Sequence, residues 1–332
     1  MNVKINRIEY YHPETVYTND YFHKHFEEKG ENIHKLLKIT GRKNRFISTD
    51  ENETSLTMAI AACKKVLEKA NINKDDIGYL LYISQTPEFF VPTNAVKIHK
   101  ELGLHHNILS FDMNCNCAGM VVGLEQAARY LKTNNRVKYA LVVGSDQLFR
   151  YARESEAMAY SNFGESACAI LLENTESGTS DFIDSCAYTD SSLHDTINFP
   201  PNGLSKVLAT DEFVERDNKI IEWIGFETDR VYESAINSIN DLINRNNLTK
   251  DDIKLYCLSQ FVKKHIDDTR IALDEPEEKF PFVGDVFGYT GTTSPLMALT
   301  NAIEENKIKR GDHVILWTVG AGVCAPCVLL KY

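Results

Sequence analysis

MAIAACKKVLEKANINKDDIGYLLYISQ, residues 58–85, and ESAINSINDLINRNNLTKDDIKLYCLSQ, residues 233–260, follow one plan. Each opens with an amphipathic helical pattern, turns through a polar Asn/Lys/Asp stretch sharing the tetrad KDDI, and runs into an apolar strand that stops at Ser-Gln. The tetrad alone carries little weight. Helix, turn and strand repeated in the same order point to an internal duplication.

The match extends outward. After Ser84-Gln85 come a helical segment (TNAVKIHKELGL), a strand (NILSFDM), a turn at Cys117, a helix (VVGLEQAARYLKT) and the strands YALVVGSD and ACAILLE. After Ser259-Gln260 come a helix (FVKKHIDDTRIAL), the turn FGYTGTTS, a helix (PLMALTNAIEEN) and the strands HVILWTV and APCVLLKY. Both halves alternate strands with helices, which predicts an α/β fold of mixed sheets layered with helices, divided near residue 175 into halves 1–175 and 176–332. The Cys117 and Tyr289 turns hold equivalent places. Packed about a pseudo-twofold axis, these turns and the two Ser-Gln strand ends converge on one centre.

Composition sets the outer bounds. With 332 residues and 43% apolar content the chain can bury the core of such a duplicated body. Lys plus Arg number 36 against 47 Asp plus Glu, and the net charge of -11 argues against nucleic acid or an anionic membrane as a partner. No stretch has signal-peptide character or the roughly 20 apolar residues of a spanning helix, so a soluble, cytoplasmic protein is expected. The eight cysteines sit mostly in apolar runs, as buried reduced thiols do. Cys324 and Cys327 form a CxxC inside VCAPCVLL, which reads as a terminal strand. Zinc or redox use is the weaker reading, since no second ligand pair exists at suitable spacing, and no metal is expected.

The stretch NCNCAGMVVG, residues 114–123, puts a thiol just ahead of a helix. There the helix dipole and unpaired backbone N–H groups favour a thiolate, and Ala118 and Gly119 leave room for a carbonyl. Cys117 therefore reads as a nucleophile that takes an acyl group as a thioester. The alternative is a small buried residue in a strand-to-helix turn, the reading that suits Cys115.

Taken together, TVYTNDYF, TGRKNRFIS (40–48), ETSLTMAIAACKKVLEKANI, SQTPEFFVPTNA, the CAG turn, KYALVVGSDQL, NFGESACAILL and the closing VGAGVCAPCVLL resemble, in order and over the whole chain, the β-ketoacyl-acyl-carrier-protein synthase III family of thiolase-fold condensing enzymes. The resemblance implies a five-layered αβαβα fold and a homodimer in which the segment at Phe89 and Phe90 helps close the partner's pocket. It implies that Cys117 accepts an acyl group from coenzyme A or from the phosphopantetheine of an acyl carrier protein, as substrates and not as bound cofactors. It also implies an oxyanion hole of the Cys117 and Ala321 N–H groups, where preorganised donors meet developing charge. Taken by itself, VGAGV is also simply a tight turn between terminal strands.

Two departures stand out. Ser259 occupies the place of the family's decarboxylation-site His, and Tyr289 the place of its Asn. No Asn lies between Glu275 and Thr300, and the nearest His is His265, several residues into the following helix. His and Asn donate to the enolate formed when malonyl thioester loses CO₂, and losing one such donor slows a reaction by roughly 10²–10³-fold. Serine and tyrosine hydroxyls also donate, from a different reach, and neither replaces imidazole as a base near neutral pH. His194 with Asp195, in the segment bordering the family's acyl pocket, is a candidate replacement imidazole; a surface loop histidine is the plainer reading. The family's adenine-stacking Trp is missing, with Lys35 about where it would fall. Arg150 matches a nucleotide-binding arginine. Lys263 and Lys264 match the basic rim where a carrier protein docks, although paired lysines also mark a solvated helix face.

These features leave three readings. The first is a divergent acyl-thioester transferase or condensing enzyme of a specialised fatty acid or polyketide-type pathway. The second is a conventional priming synthase using unusual donors. The third is an inactive subunit paired with an active homologue in a heterodimer. The intact Cys117 turn argues against the third, and the two substitutions against the second.

Overall fold

Each KDDI tetrad opens on a short 3-10 turn, Lys74–Asp76 and Lys250–Asp252, which delivers the chain into a strand, Ile77–Ile83 and Ile253–Leu258. The lysine does the same thing twice. Lys74 Nζ donates to the Leu102 carbonyl at the end of helix Asn94–Leu102, and Lys250 Nζ to the Leu273 carbonyl at the end of helix Lys263–Leu273. A cation at a helix carboxyl end satisfies an orphan carbonyl and opposes the dipole.

The chain is seen in a computed structural model that describes residues 1–176, 178–208 and 220–332. In the first half, Ile77–Ile83 pairs in parallel with Tyr139–Gln147, which pairs antiparallel with Glu165–Thr175, which pairs antiparallel with Asn2–Tyr11. The second half repeats that order: Ile253–Leu258 is parallel to His313–Trp317, which is antiparallel to Cys324–Lys331, which is antiparallel to Phe182–Thr189. The first sheet adds a fifth strand, Leu109–Met113, beside Ile77–Ile83. The sheets change over between Thr175 and Phe182.

Alternation along the strands builds the layers. Leu81, Ile83 and Val142 of the first sheet, and Leu255, Cys257 and Val314 of the second, face inward onto helices Gly119–Thr133 and Ser294–Glu304. Leu80, Tyr82 and Val143 face outward onto helices Ser55–Ala70 and Asn94–Leu102. Tyr256, Leu258 and Ile315 face the opposite outer pair, Asp229–Arg245 and Lys263–Leu273. Helix, sheet, helix, sheet, helix gives five layers. No helix among the described residues is long and apolar enough to cross a membrane.

Candidate active site

Cys117 lies in the 3-10 turn Asn116–Ala118, directly ahead of helix Gly119–Thr133. Asn116 bends the chain into it with a left-handed φ of 51°. Gly119 is required by crowding: a Cβ there would stand 2.3 Å from Ile83 Cγ2 and 2.8 Å from Thr292 Oγ1. That approach ties the two halves together, because the Met120 N–H donates to Thr292 Oγ1 at 2.8 Å and the Thr292 N–H to Asp146 Oδ2 at 3.0 Å. The fully buried Asp146 also accepts from Ser84 Oγ and from the backbone and side-chain amides of Gln85. Gln85, so held, points Nε2 at Cys117 Sγ, 3.4 Å away.

The two Ser-Gln strand ends have parted in role. Gln85 faces the thiol, whereas Gln260 turns inward, donating to the Leu258 carbonyl and accepting from the Val283 N–H. The segment after it is fastened by the buried guanidinium of Arg42, which donates to the Gln260 and Phe261 carbonyls and to Asn162 Oδ1. Asn162 returns a bond to the Phe261 carbonyl, and its own carbonyl takes the Tyr289 N–H at 2.8 Å.

Cys117, Gln85, Tyr289 and Ala321 share one cavity of about 330 Å³, whose walls are mainly apolar, with aromatic rings among them. Phe261 meets Tyr289 edge to face at 4.9 Å and stacks on Trp223 at 5.2 Å. The apolar walls push the Cys117 thiol up to about 11, while the Tyr289 hydroxyl, the Gln85 amide and its own backbone N–H draw it back down. The standing thiolate expected from the helix position is therefore not the resting form. Burial likewise holds the Tyr289 phenol well above its usual range, so it faces Cys117 as a donor.

The oxyanion-loop candidate, Val319–Val323, presses on the nucleophile turn. A Cβ on Gly320 would stand 2.8 Å from the Cys115 carbonyl. Asn116 Nδ2 donates to the Ala321 carbonyl at 3.2 Å, and Thr318 Oγ1 to that of Cys117 at 3.2 Å.

Other expected residues fall elsewhere. Ser259 is buried, forms no hydrogen bond of normal geometry, touches the Tyr289 phenol only loosely, and is not part of the cavity wall. His194 sits at the surface with its side chain 70% exposed, paired with Asp195 at 3.0 Å, and leaves the cavity to its neighbours Ile197 and Phe199. A short 3-10 turn carries it outward. Lys263 and Lys264 do not form a free basic rim, because each is matched one turn later by Asp267 and Asp268 at 2.5 Å. Arg150 is exposed on the turn Phe149–Tyr151, away from the cavity wall, with Nη2 3.5 Å from the Asp50 carbonyl. Phe89, Phe90 and Val91 are 39%, 67% and 88% exposed, on a tip braced by Asn94 and Asp112, and do not line their own chain's cavity.

One residue that the spacing argument set aside returns. His265 borders the cavity, its ring 3.9 Å from that of Tyr232, with Nδ1 buried and unpartnered. Burial lowers it to about 4, so the imidazole is neutral at physiological pH. The helix beginning at Lys263 carries it as its third residue, packed against the Tyr232 ring.

A cysteine at a helix start, flanked by a glycine-rich loop and enclosed between two copies of one α/β half, defines an acyl-transferring enzyme of the condensing class. The chain belongs to the β-ketoacyl-acyl-carrier-protein synthase III family. Residues 111–191 match the family described as 3-oxoacyl-[acyl-carrier-protein (ACP)] synthase III, and residues 243–332 match its C-terminal counterpart. It is 31% identical over 299 residues to the β-ketoacyl-[acyl-carrier-protein] synthase III of Wolbachia pipientis subsp. Culex pipiens (strain wPip), covering 88% of each chain. It is 29% identical over 324 residues to that of Aliarcobacter butzleri (strain RM4018), covering 97% of this chain and 95% of the relative. The fold is that of 3-oxoacyl-[acyl-carrier-protein] synthase III from Aquifex aeolicus VF5 (TM-score 0.87, 24% identity, all of both chains). An OleA variant from Xanthomonas campestris is also similar (TM-score 0.84, 17% identity, 100% of this chain and 99% of that one). The thiolase fold and the acyltransferase class are thereby established.

Proposed function

We propose that this enzyme loads an acyl group onto Cys117 from an acyl carrier protein or acyl-CoA and passes it to an acceptor with little reliance on malonyl decarboxylation. A specialised fatty acid or polyketide-type pathway is the natural setting. One observation carries the reading: a buried tyrosine hydroxyl faces the thiol, while Ser259 lies off the cavity wall. Positions 259 and 289 therefore offer no imidazole and amide pair to an enolate, and the cavity's own imidazole and amide, His265 and Gln85, come from other elements.

In the loading step Cys117 sulfur attacks the thioester carbonyl, and the Cys117 and Ala321 N–H groups receive the oxyanion. The donor's C–S bond then breaks, and the Cys117 proton leaves with the departing thiol. Tyr289 and Gln85 stabilise the thiolate as it forms. In the transfer step the acceptor's proton passes to neutral His265 as the acceptor attacks. The Cys117 thiolate departs and recovers that proton. The carrier docks without a standing lysine rim, since Lys263 and Lys264 are internally paired. The exposed Phe89–Val91 tip, exposed Val96, and edge strand Leu109–Met113 support a homodimer in which that tip reaches the partner's cavity.

The test separates loading from transfer. His265→Asn should leave acylation of Cys117 within about twofold and slow release to the acceptor by roughly 10²-fold, the usual scale of general base catalysis. Quenched-flow mass spectrometry of the acyl-enzyme reads both steps. Equal loss in both, or in neither, contradicts the role of His265.

A further inference from the structure

The CxxC of VCAPCVLL is not a pair. Cys324 and Cys327 lie three residues apart on strand Cys324–Lys331, so their side chains leave opposite faces of the sheet and cannot meet. Each thiol finds another partner. Cys324 meets Cys115 of the nucleophile turn, and Cys327 meets Cys186, directly opposite it on the antiparallel strand Phe182–Thr189. All four are free thiols.

The Cys186–Cys327 pair is asymmetric. Cys327 is fully buried. Cys186 is part-exposed and lines an open groove of about 540 Å³ between its edge strand and helix Asp229–Arg245. Its Sγ reaches the Ser238 carbonyl at 3.7 Å. Near it stands the Arg245 guanidinium, which donates to Asp184 Oδ2 at 2.7 Å and to the Ser185 carbonyl at 2.5 Å. The Cys327 thiol donating to it, with help from Arg245, draws Cys186 down to about 7, and the same contact and burial hold Cys327 well above its ordinary value. An accessible thiol that ionises readily, with a protonated thiol behind it, is an arrangement that oxidises selectively.

We propose that Cys186 and Cys327 form a hydroperoxide-sensitive dithiol, separate from the acyl-transfer site. Cys186 sulfur attacks the O–O bond, is oxidised by two electrons to the sulfenic acid, and releases an alcohol or water. Cys327 sulfur then attacks Cys186 sulfur; the S–S bond forms, the S–O bond breaks, and water leaves with the Cys327 proton. Two thiols and one hydroperoxide thus give one disulfide, one alcohol and one water. Directly opposed antiparallel residues have Cα atoms about 4.5–5.5 Å apart, inside the roughly 4.4–6.8 Å range of disulfides, so the register needs no rebuilding. A thiol reductant reverses the bond by exchange.

The test treats the intact protein with hydrogen peroxide, blocks remaining thiols, and maps non-reduced peptides by mass spectrometry. A Cys186–Cys327 linked peptide that disappears with dithiothreitol is expected. Cys327→Ser should instead leave a dimedone-reactive sulfenic acid on Cys186, and Cys186→Ser should show neither product. The wild-type map stands even if a variant folds poorly. A Cys115–Cys324 link in place of this one, or oxidation of Cys117 with Cys186 untouched, overturns the proposal.

Discussion

Intact-protein mass spectrometry after incubation with acyl-CoA or acyl carrier protein donors should show an acyl adduct that vanishes in Cys117→Ala and survives in Cys115→Ala. The two thiols sit two residues apart and differ in what surrounds them. Cys117 opens on the cavity, with the Gln85 amide and the Tyr289 hydroxyl aimed at its sulfur. Cys115 lies off the cavity wall, engaged with Cys324 and held well above the ordinary thiol range, first by that contact and then by burial. Because the resting Cys117 thiol titrates near 11, its acylation should quicken as pH rises from 7 toward 10. Thiolate grows roughly tenfold per pH unit below the pKa. Loss of the whole adduct on removing one sulfur atom is the largest effect expected of any single change. The reverse pattern, with the adduct following Cys115, would transfer the nucleophile's role to that residue.

The second large effect is a gain. The double substitution Ser259→His with Tyr289→Asn should raise malonyl decarboxylation by about 10²-fold, while loading of Cys117 changes far less. Tyr289 now fills the space between Phe163, Phe261 and the thiol. An asparagine there frees volume and offers an amide toward the developing enolate, and a longer side chain at 259 can reach the space that the ring vacates. The helix start, Gln85 and the proposed Ala321 N–H donor are untouched by both changes, and of the groups that stabilise the Cys117 thiolate only the Tyr289 hydroxyl is lost. Thermal denaturation of the variant checks that the fold survives the loss of a buried ring. A parallel rise in loading and decarboxylation would mean that Tyr289 merely blocks access.

Much of this was legible because it rests on periodicity. The KDDI stretches, the apolar strands and the order of helices after each Ser-Gln could be read directly, since each element repeats its own pattern. The outermost strand partner in each half was not. Asn2–Tyr11 alternates only as far as Ile5, where a bulge before Arg7 breaks the register and shifts the buried face to Ile8. Phe182–Thr189 is a polar edge strand with only Phe182 fully buried, so period two has little to act on.

At the site, the Cys117 turn lies where its sequence position suggests, on the cavity, while several other candidates lie away from it or are paired. His265 was set aside on spacing, yet helical geometry brings its ring to the cavity. His194 keeps to its neighbour Asp195 at the surface, and the lysines at 263 and 264 are met by Asp267 and Asp268, four residues on. An i,i+4 Lys-Asp spacing on a helix was the available signal for the lysines. The upward shift of Cys117 could not be read at all, because it depends on apolar walls drawn from Phe163, Trp223 and Phe261, far apart in the chain.

The most direct test of the central claim is a single-turnover experiment on wild-type enzyme already acylated at Cys117. The acyl-enzyme is mixed with malonyl carrier protein, and CO₂ release is followed together with the mass of the protein. The account predicts that the acyl group stays on Cys117 while CO₂ appears at least about 10²-fold below the roughly 1–10³ s⁻¹ of ordinary turnover. Release of CO₂ within that ordinary range, matched by loss of the acyl group into a condensed product, would contradict it and make the enzyme a conventional priming synthase.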